Sequence, residues 1–324
     1  MVLRTEGIRC CVCGNTDPSQ FSPEYLFEDF AVVSCKLCSF LFIPPWYRRN
    51  IKYHQYKGAD VSSAVRAGNN WVKIQRHKLR FRFIRKFIRK GKLFDLGAGW
   101  GHFMLAGKEL GFDVTGVEIA EEPFKYCVND LKLPVLHDDF FKMEESGQYD
   151  LVTMWDVLEY IDSADVFLRK CAAVTKPGGY LFLQVPQIDS FIAKREKQRW
   201  KMMGLDHVNY FSTKTMRRIL ESNGYEMLEI RSSFEIKLFL MYTVLPWFRK
   251  LKGRRRQTLR ETNAAISAAE RQNYFNRFTS RPAWQLKLFI AAHNIVYNSL
   301  SALGIGEEMM VAARKKNSRR HAEF

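Results

Sequence analysis

The chain has 324 residues, of which 47% are apolar and 26% are charged, so it can bury a sizeable core. This composition excludes a wholly disordered, collagen-like or coiled-coil chain. At roughly 100–200 residues per domain, the length allows one large domain with extensions or two modest domains. No apolar leader and no uncharged apolar run of roughly 18 residues is visible. We therefore expect a cytoplasmic protein, with peripheral attachment to the inner face of a membrane as an option.

The formal net charge of +17 is unevenly distributed along the chain. Residues 1–92 carry a net charge of +12, residues 93–230 carry −7, and residues 231–324 carry +12. An acidic middle between basic flanks favours an anionic partner, such as a phospholipid surface, nucleic acid or a phosphorylated substrate. Solvated helix faces that only keep the protein soluble would give the same pattern.

Two cysteine pairs near the start of the chain have the spacing of a zinc ribbon. Cys10 and Cys13 bracket two residues, and Cys35 and Cys38 do the same. Two such turns can present four thiolates to one Zn²⁺ in tetrahedral geometry, whereas a redox CxxC motif needs a single pair. We expect structural zinc within residues 1–45, with no open ligand position for catalysis. Cys11, adjacent to Cys10, is an alternative ligand.

Residues 46–92 are predicted to form a linker and a basic helix. Apolar residues between Val72 and Ile88 recur at near-helical spacing among Arg and Lys residues, and Gly91 ends the pattern. We expect this helix to cover one face of the domain that follows. Contact with a membrane or with RNA is the alternative interpretation.

The sharpest signal is a glycine-rich turn that follows a short apolar strand. Gly97, Gly99 and Gly101 come after Leu93–Leu96, and Glu118 ends the next predicted strand. Glycines at a strand-to-helix turn let a ligand approach the backbone closely. An acid about 20 residues further on can accept hydrogen bonds from ribose hydroxyls. The pattern therefore predicts a nucleoside-binding site.

Two neighbouring residues argue against a dinucleotide as the ligand. His102 stands where the usual dinucleotide-binding turn has its last glycine. Asp95 lies inside the strand, two residues before the turn, where its carboxylate would repel a pyrophosphate but attract a cationic amino group.

Residues 93–186 resemble the class I S-adenosylmethionine-dependent methyltransferases. The family's glycine turn matches at Asp95-x-Gly97-x-Gly99-x-Gly101, and its ribose-binding acid matches at Glu118. The resemblance implies that Asp139 binds the adenine amino group and that Phe140 packs near the adenine ring. Asp138 is a competing assignment, one residue away.

Later motifs match the same family in the same order. The fourth motif matches at Asp150, Trp155, Asp156 and Glu159, although many relatives have Glu-His where this chain has Glu159-Tyr160. The resemblance implies an α/β fold with a Rossmann-like seven-stranded sheet, S-adenosylmethionine as cofactor, and Trp155 among the cofactor-binding residues. The segment DHVNYFS also resembles small-molecule and sugar methyltransferases of this superfamily, some of which carry a four-cysteine knuckle.

His207 is the candidate general base for a hydroxyl acceptor, since an imidazole titrates near pH ~6.5. Glu159 and Tyr210 are its candidate partners in a catalytic group. An ordinary turn histidine bonded to the backbone is the alternative, and the sequence does not decide between the two.

The methyltransferase core is predicted to span residues 93–236 and to end with a last strand within 306–324, followed by a basic tail. A helical insertion at 237–305 separates the sixth and seventh strands. Its apolar segment, Leu238–Phe248, runs into a basic cluster. This insertion is either a lid that packs on itself or a membrane-surface element.

These features together predict O-methylation of a small-molecule or lipid-linked sugar-type acceptor. An acceptor held at an anionic membrane surface is one version of this prediction. An RNA methyltransferase that grips phosphates with its ribbon and basic flanks is one alternative. A non-catalytic cofactor-binding scaffold is the other.

Overall fold

The structure is a computed structural model that describes residues 7–47, 70–144, 147–205, 207–233 and 306–317, with isolated positions between 282 and 301. Most of the predicted linker, and nearly all of the predicted insertion including Leu238–Phe248, lie outside the described residues. Within the described part of the chain, no helix combines the length and apolar content needed to cross a bilayer.

The core of the molecule is a seven-stranded sheet. Its strands are β4 (Lys92–Leu96), β5 (Asp113–Val117), β6 (Val135–Leu136), β7 (Tyr149–Trp155), β8 (Thr175–Pro186), β10 (Tyr225–Ser233) and β11 (Glu308–Lys315). Their spatial order is β10–β11–β8–β7–β4–β5–β6, and β11 is antiparallel to both of its neighbours. The expected α/β Rossmann-like sheet, with an antiparallel last pair of strands, is confirmed.

Helices cover the two faces of this sheet. They are α1 (Asn70–Ile84), α2 (His102–Glu109), α3 (Glu121–Lys125), α4 (Ala164–Val174) and α6 (Thr213–Ser222). Helix α5 (Phe191–Glu196) instead packs in a cluster with Phe30 and Val32 of the cysteine-rich segment. The basic helix α1 turns its apolar side to the core, where Phe81 stacks on Phe103 with ring centroids 4.5 Å apart. Phe83 makes an edge contact with Phe182 of β8 at 5.9 Å. Burial of these aromatic rings is the main force that holds α1 in place.

The strand order reverses at β4, and this reversal positions the site. The chain passes from β4 to β5 and β6 on one side, then crosses back to place β7 and β8 on the other. A crevice opens at the carboxyl ends of the strands where neighbouring connections diverge in this way, and ligands of such sheets bind there. The glycine turn after β4 lies at this point.

A second, four-stranded sheet is built on the cysteine-rich segment. It contains β1 (Phe21–Leu26), β2 (Ala31–Cys35), β3 (Leu41–Phe42) and β9 (Asn209–Tyr210), in that order. The first three strands lie within residues 1–45, the segment expected to form a zinc ribbon. The fourth strand comes from the core segment, so the two sheets of the protein are joined through β9.

Candidate active site

The glycine turn adopts a backbone that only glycine accommodates easily. Gly97, Gly99 and Gly101 have φ angles of 71°, 51° and 72°, all in the left-handed region. A Cβ at Gly97 would lie 2.8 Å from Val157, and one at Gly101 would lie 2.7 Å from Leu133. A Cβ at Gly99 would meet nothing closer than 4.0 Å, so this side of the turn is open to a ligand.

Glu118 holds the glycine turn by direct hydrogen bonds. Its Oε2 accepts from the backbone N–H of Gly99 at 2.7 Å, and its Oε1 accepts from that of Ala120 at 2.8 Å. Burial raises the pKa of Glu118, although the backbone N–H groups act against this shift. The acid and the turn predicted to share one nucleoside therefore do lie together.

Asp95 is a buried carboxyl group directly beneath the turn. Its side chain is 1% exposed and accepts a 2.6 Å hydrogen bond from the Thr153 hydroxyl on β7. Burial raises the pKa of Asp95 to about 7, while Thr153 and the charge of Arg80 oppose that rise. A carboxylate that is so poorly solvated gains strongly from a cationic ligand group.

The structure places Asp139 and Phe140 on the β6 side of the same edge. The Asp139 carboxylate accepts a hydrogen bond from the N–H of Phe141 at 3.0 Å and so caps a short 3-10 helix. The Phe140 ring is buried against Phe167 and Phe94, at centroid distances of 5.0 and 6.0 Å. Phe140 thus belongs to the hydrophobic core as well as to the predicted cofactor surface.

Trp155 ends β7 on the other side of the turn. Its ring lies 5.0 Å from Phe103 and is covered by the Arg80 guanidinium at 4.5 Å. Arg80 also reaches Asp156 at 3.4 Å. Among the described residues, the buried indole Nε1 of Trp155 has no hydrogen-bond partner, which leaves a donor for a ligand at this edge.

The His207 imidazole is fixed by a hydrogen bond at each ring nitrogen. Its Nδ1 lies 2.8 Å from the carbonyl oxygen of Met202, so Nδ1 carries a proton. Its Nε2 lies 3.0 Å from the Tyr160 hydroxyl, which donates to Nε2 in the tautomer whose single proton is at Nδ1. Tyr160 is the residue that occupies the position of the histidine in many relatives, and no other sequence feature predicts that its hydroxyl would reach His207.

The two partners proposed for His207 from the sequence lie near it but have other contacts. The Tyr210 side chain is fully buried, and its hydroxyl both donates to and accepts from the backbone of Gly204. Glu159 is 1% exposed, and its Oε2 has no hydrogen-bond partner within the described structure. Burial, and secondarily the charges of Asp156 and Glu308, raise the pKa of Glu159 well above its usual range.

A polar network that sequence reasoning missed joins the ends of four strands. The Gln184 amide donates to Asp156 at 3.0 Å and to Glu308 at 2.9 Å, and it accepts from Ser233 at 3.3 Å. Gln184 interrupts an otherwise apolar stretch of β8, and this interruption was the available signal. The network fixes the carboxyl edge next to Asp156 and Glu159.

The four expected zinc ligands form one cluster. The Sγ atoms of Cys10 and Cys38 are 3.5 Å apart, those of Cys13 and Cys35 are 3.6 Å apart, and all four lie within 4.8 Å of one another. Tetrahedral Zn–S bonds of about 2.3 Å require Sγ separations of roughly 3.8 Å, so the cluster fits Zn²⁺. Cys11 is buried outside the cluster, which removes it as a ligand in this geometry.

Matching turns build the two halves of this cluster. Gly14 and Ser39 each follow the second cysteine of a pair and have φ angles of 73° and 62°. Their N–H groups donate to the carbonyl oxygens of Cys10 and Cys35 at 2.8 and 2.7 Å. This repeated turn points both thiols of each pair toward a common centre.

Comparison with known families adds an independent finding. Residues 50–230 match the family model described as a methyltransferase domain, which is more than half of the chain. Two named relatives are ubiquinone biosynthesis O-methyltransferases. The one from Bordetella avium is 32% identical over 117 residues, and the one from Bordetella pertussis is 33% identical over 98 residues.

These matches cover only part of each protein. The aligned region is 32% of this chain and 47% of the Bordetella avium protein. For the Bordetella pertussis protein, it is 28% of this chain and 41% of the relative. The chain therefore spans about half the length of these curated relatives or less. A crystal structure of an S-adenosylmethionine-dependent methyltransferase from Archaeoglobus fulgidus aligns with 76% of this chain and 95% of its own, at 19% identity and a TM-score of 0.45.

Proposed function

The chain belongs to the methyltransferase-domain family, and from this premise we propose that it transfers the methyl group of S-adenosylmethionine to an oxygen of a small-molecule acceptor. One observation carries the proposal. Two buried carboxyl groups, Asp95 and Glu118, flank a glycine turn whose open side is at Gly99. This arrangement provides a site for a ligand that combines a nucleoside with a cationic amino-acid group.

The residues present fit the cofactor in a specific way. Glu118 would accept hydrogen bonds from ribose hydroxyls, and Asp95 would pair with the amino group. Asp139 and Phe140 would complete the adenine end of the site on the β6 side, and Trp155 would offer its Nε1 as a donor on the β7 side. When bound, S-adenosylmethionine supplies an electrophilic methyl group, so the protein has to orient the acceptor, exclude water and take up one proton.

Tyr160 and His207 can take up that proton together. As the acceptor oxygen bonds to the methyl carbon, its proton passes to the Tyr160 oxygen while the Tyr160 proton passes to Nε2 of His207. The sulfur of S-adenosylmethionine would keep the electron pair of the bond that its methyl group leaves. The 3.0 Å distance between the Tyr160 hydroxyl and Nε2 suits this transfer, and the Met202 carbonyl stabilises the imidazolium through Nδ1.

The names of the relatives support an oxygen acceptor, because both are O-methyltransferases. The structure offers a separate argument for an acceptor held at a membrane surface. Trp284, Leu288 and Ile295 occupy helical positions separated by four and seven residues and are 64–66% exposed. Such spacing places them on one helix face, and a basic protein with an exposed apolar helix face can bind anionic bilayers. A lipid-linked sugar-type acceptor agrees with this placement.

Calorimetric titration with S-adenosylmethionine tests the cofactor assignment. We expect binding to the zinc-loaded protein, with affinity reduced at least about tenfold in Asp95→Asn or Glu118→Gln, since each loses a charge-assisted hydrogen bond. Asp113→Asn, at the opposite edge of the sheet, is the matched control and should bind normally. Absence of binding to the unmodified protein would contradict the proposal.

Turnover with labelled S-adenosylmethionine tests the proton transfer. With a catechol and a simple hexoside as probe acceptors, Tyr160→Phe should lower kcat by about 10²-fold or more without weakening cofactor binding. Tyr210→Phe is the matched tyrosine control, and it should lower stability rather than kcat because its buried hydroxyl bonds to the backbone of Gly204. Turnover on RNA that falls steeply with salt would instead favour the RNA alternative.

Sedimentation with lipid vesicles tests the membrane placement. The protein should bind vesicles that contain phosphatidylserine and should bind neutral vesicles less well. Replacing Trp284, Leu288 and Ile295 with serine should remove most of this binding. Leu26 and Leu37, which are 52% and 57% exposed on the ribbon, provide the matched control substitutions. Equal binding by both sets of variants would contradict a specific role of this helix face.

A further inference from the structure

Strand β9 completes the sheet of the cysteine ribbon. Leu41 and Phe42 of β3 pair with Tyr210 and Asn209, and the N–H of Ile43 donates to the carbonyl oxygen of Val208 at 2.9 Å. Residues 208–210, which directly follow His207, are therefore hydrogen-bonded to the ribbon.

Aromatic packing strengthens this connection. Phe40, two residues after the ligand Cys38, lies 5.2 Å from Phe211 at the end of β9. Both rings are fully buried. A tilted aromatic pair buried in this way contributes to positioning beyond its hydrophobic area.

The opposite side of β9 faces the short 3-10 helix Leu158–Tyr160. The N–H of Val208 donates to the carbonyl oxygen of Glu159 at 2.8 Å. The Asn209 amide donates to the carbonyl oxygens of Leu158 and Ile161 at 3.1 and 2.7 Å. Strand β9 thus lies between the ribbon and the helix that ends at Tyr160, and the contact between Tyr160 and His207 depends on where β9 lies.

The ribbon segment that holds β9 begins at the cysteine cluster. Cys35 ends β2, Cys38 closes the turn, and β3 follows three residues later. Without a metal ion, the thiols of these two turns hold each other only through weak S–H hydrogen bonds. With Zn²⁺ bound, four Zn–S bonds close the turn and fix the start of β3.

The cofactor half of the site has different supports. Asp95 bonds to Thr153 on β7, and Glu118 bonds to Gly99 and Ala120. These residues lie on β4, β5, β7 and the loops that follow β4 and β5. A structural change in the ribbon would therefore affect β9 through direct hydrogen bonds. It would affect Asp95 and Glu118 only through packing of the core.

We propose that the zinc ribbon is the positioning element of the acceptor half of the site, acting through β9 on the pair formed by His207 and Tyr160. The metal ion then controls the geometry of proton uptake without controlling the affinity for S-adenosylmethionine. The consequence for turnover rests on the function proposed above, while the effect of the metal on β9 does not.

Hydrogen exchange on the full chain, loaded with Zn²⁺ or stripped by a chelator, tests this inference without an acceptor. Metal removal should lower the protection of amides at residues 208–211 by about tenfold or more, and should change that of residues 95–101 by less than about twofold. The imidazole resonances of His207 should shift at the same time, because its contact with Tyr160 is lost. Affinity for S-adenosylmethionine should stay within about twofold.

Two cysteine variants make the comparison independent of the chelator. Cys38→Ser removes a ligand and should reproduce the metal-free exchange pattern. Cys11→Ser changes a buried neighbour outside the cluster and should retain zinc and protection of β9. Unchanged exchange at 208–211 would overturn the inference, as would equal loss of protection at 95–101, which would show general unfolding. Failure of the zinc-loaded protein to bind S-adenosylmethionine would refute the proposed function alone.

Discussion

The two buried carboxyl groups of the cofactor site differ in how their charge is stabilised. Glu118 accepts hydrogen bonds from two backbone N–H groups, whereas Asp95 accepts one from the hydroxyl of Thr153. Burial accordingly dominates at Asp95 and raises its pKa to about 7. Asp95 is therefore the group whose charge should respond to a ligand near neutral pH.

We expect the affinity for S-adenosylmethionine to depend on pH through Asp95. The carboxylate attracts the cofactor's amino group, so binding should weaken about tenfold for each pH unit below about 7, the pKa of Asp95. Asp95→Asn should bind weakly with little pH dependence. Calorimetry between pH 6 and 8 measures this slope, and an unchanged slope in Asp95→Asn would assign the titration to another group.

The Asp95→Asn variant should be more stable than the unmodified protein at high pH. The folded pKa of Asp95 lies above its ordinary value of 3.8, so the folded state binds more protons than the unfolded state between these values and loses stability as pH rises through about 7. Asn keeps the acceptor for Thr153 without the buried charge. Thermal unfolding at pH 8 should show a Tm higher by roughly 5 °C, and the gain should vanish near pH 4.

Two glycines of the turn should respond differently to alanine. Gly101→Ala places a Cβ 2.7 Å from Leu133 and 2.8 Å from Cys127, so we expect a loss of about 2 kcal/mol or more in the free energy of unfolding. Gly99→Ala meets no atom within 3.9 Å and should lose about 1 kcal/mol, from backbone strain alone. Its main effect should be weaker S-adenosylmethionine binding, because the new methyl group occupies the open side of the turn.

At the scale of elements, a salt bridge attaches the ribbon to helix α4. Arg9 donates to both carboxylate oxygens of Asp165, at 2.7 and 3.2 Å. Burial of Asp165 opposes its ionisation, but the hydrogen bonds and charge of Arg9 outweigh this effect and lower its pKa. Arg169, one helical turn away, makes a longer contact of 3.3 Å.

We expect Arg9→Gln to lower the free energy of unfolding by about 1 kcal/mol, since solvent partly screens Arg9. Because the pKa of Asp165 is depressed in the folded state, this stabilisation is present above about pH 4 and disappears as pH falls through the folded pKa. Chemical denaturation at pH 7 and pH 2.5 measures the difference. Arg169→Gln is the control, and an equal loss in that variant would show that the ribbon attachment is not specific to Arg9.

The elements differ in how readily the sequence predicted them. Strand β4, its glycine turn and helix α2 follow from a local pattern, namely an apolar run and then glycines at positions that need positive φ. Strand β9 has two residues and no pattern of its own, and its place depends on pairing with β3. The contact between Tyr160 and His207 depends on that pairing, so no local rule predicts it.

At the scale of the whole molecule, the sheet joins β10 and β11 directly although the chain between them is long. Ser233 pairs with Glu308, and the antiparallel register continues to Tyr225 and Lys315. These strand ends are close enough for a short turn, because paired residues in antiparallel strands lie about 5 Å apart.

Replacing residues 236–304 with a short turn containing Asn-Gly should therefore leave the core folded. We expect Tm to change by only a few degrees and S-adenosylmethionine binding to be retained, because loop-closure entropy changes slowly with length. Binding to anionic vesicles should be lost together with Trp284, Leu288 and Ile295. Loss of cofactor binding in this variant would show that the replaced segment contributes to the cofactor site.

The global arrangement could be predicted to the extent that motifs occur in a known order. Asp95 and Glu118 lie at the ends of the neighbouring parallel strands β4 and β5, and Glu159 lies in the 3-10 helix that follows β7, as that order implies. The network around Gln184 could not be predicted, since Asp156, Ser233 and Glu308 meet it only after β11 inserts between β8 and β10. The only local sign of this long-range pairing in the sequence is one polar residue, Gln184, in an otherwise apolar stretch of strand β8.

The pairing of β3 with β9 also sets the order of events while the chain is being synthesised. The four cysteines all precede β9 in the chain, so the ribbon can capture a metal ion before β9 is synthesised. Strand β3, at the edge of the ribbon sheet, can pair with β9 only after Asn209 and Tyr210 have been synthesised. This takes roughly 10–30 s at about 5–20 residues per second. During that interval the nascent chain presents an unpaired strand edge beside Phe40 and Phe42, a surface that attracts chaperones or neighbouring chains.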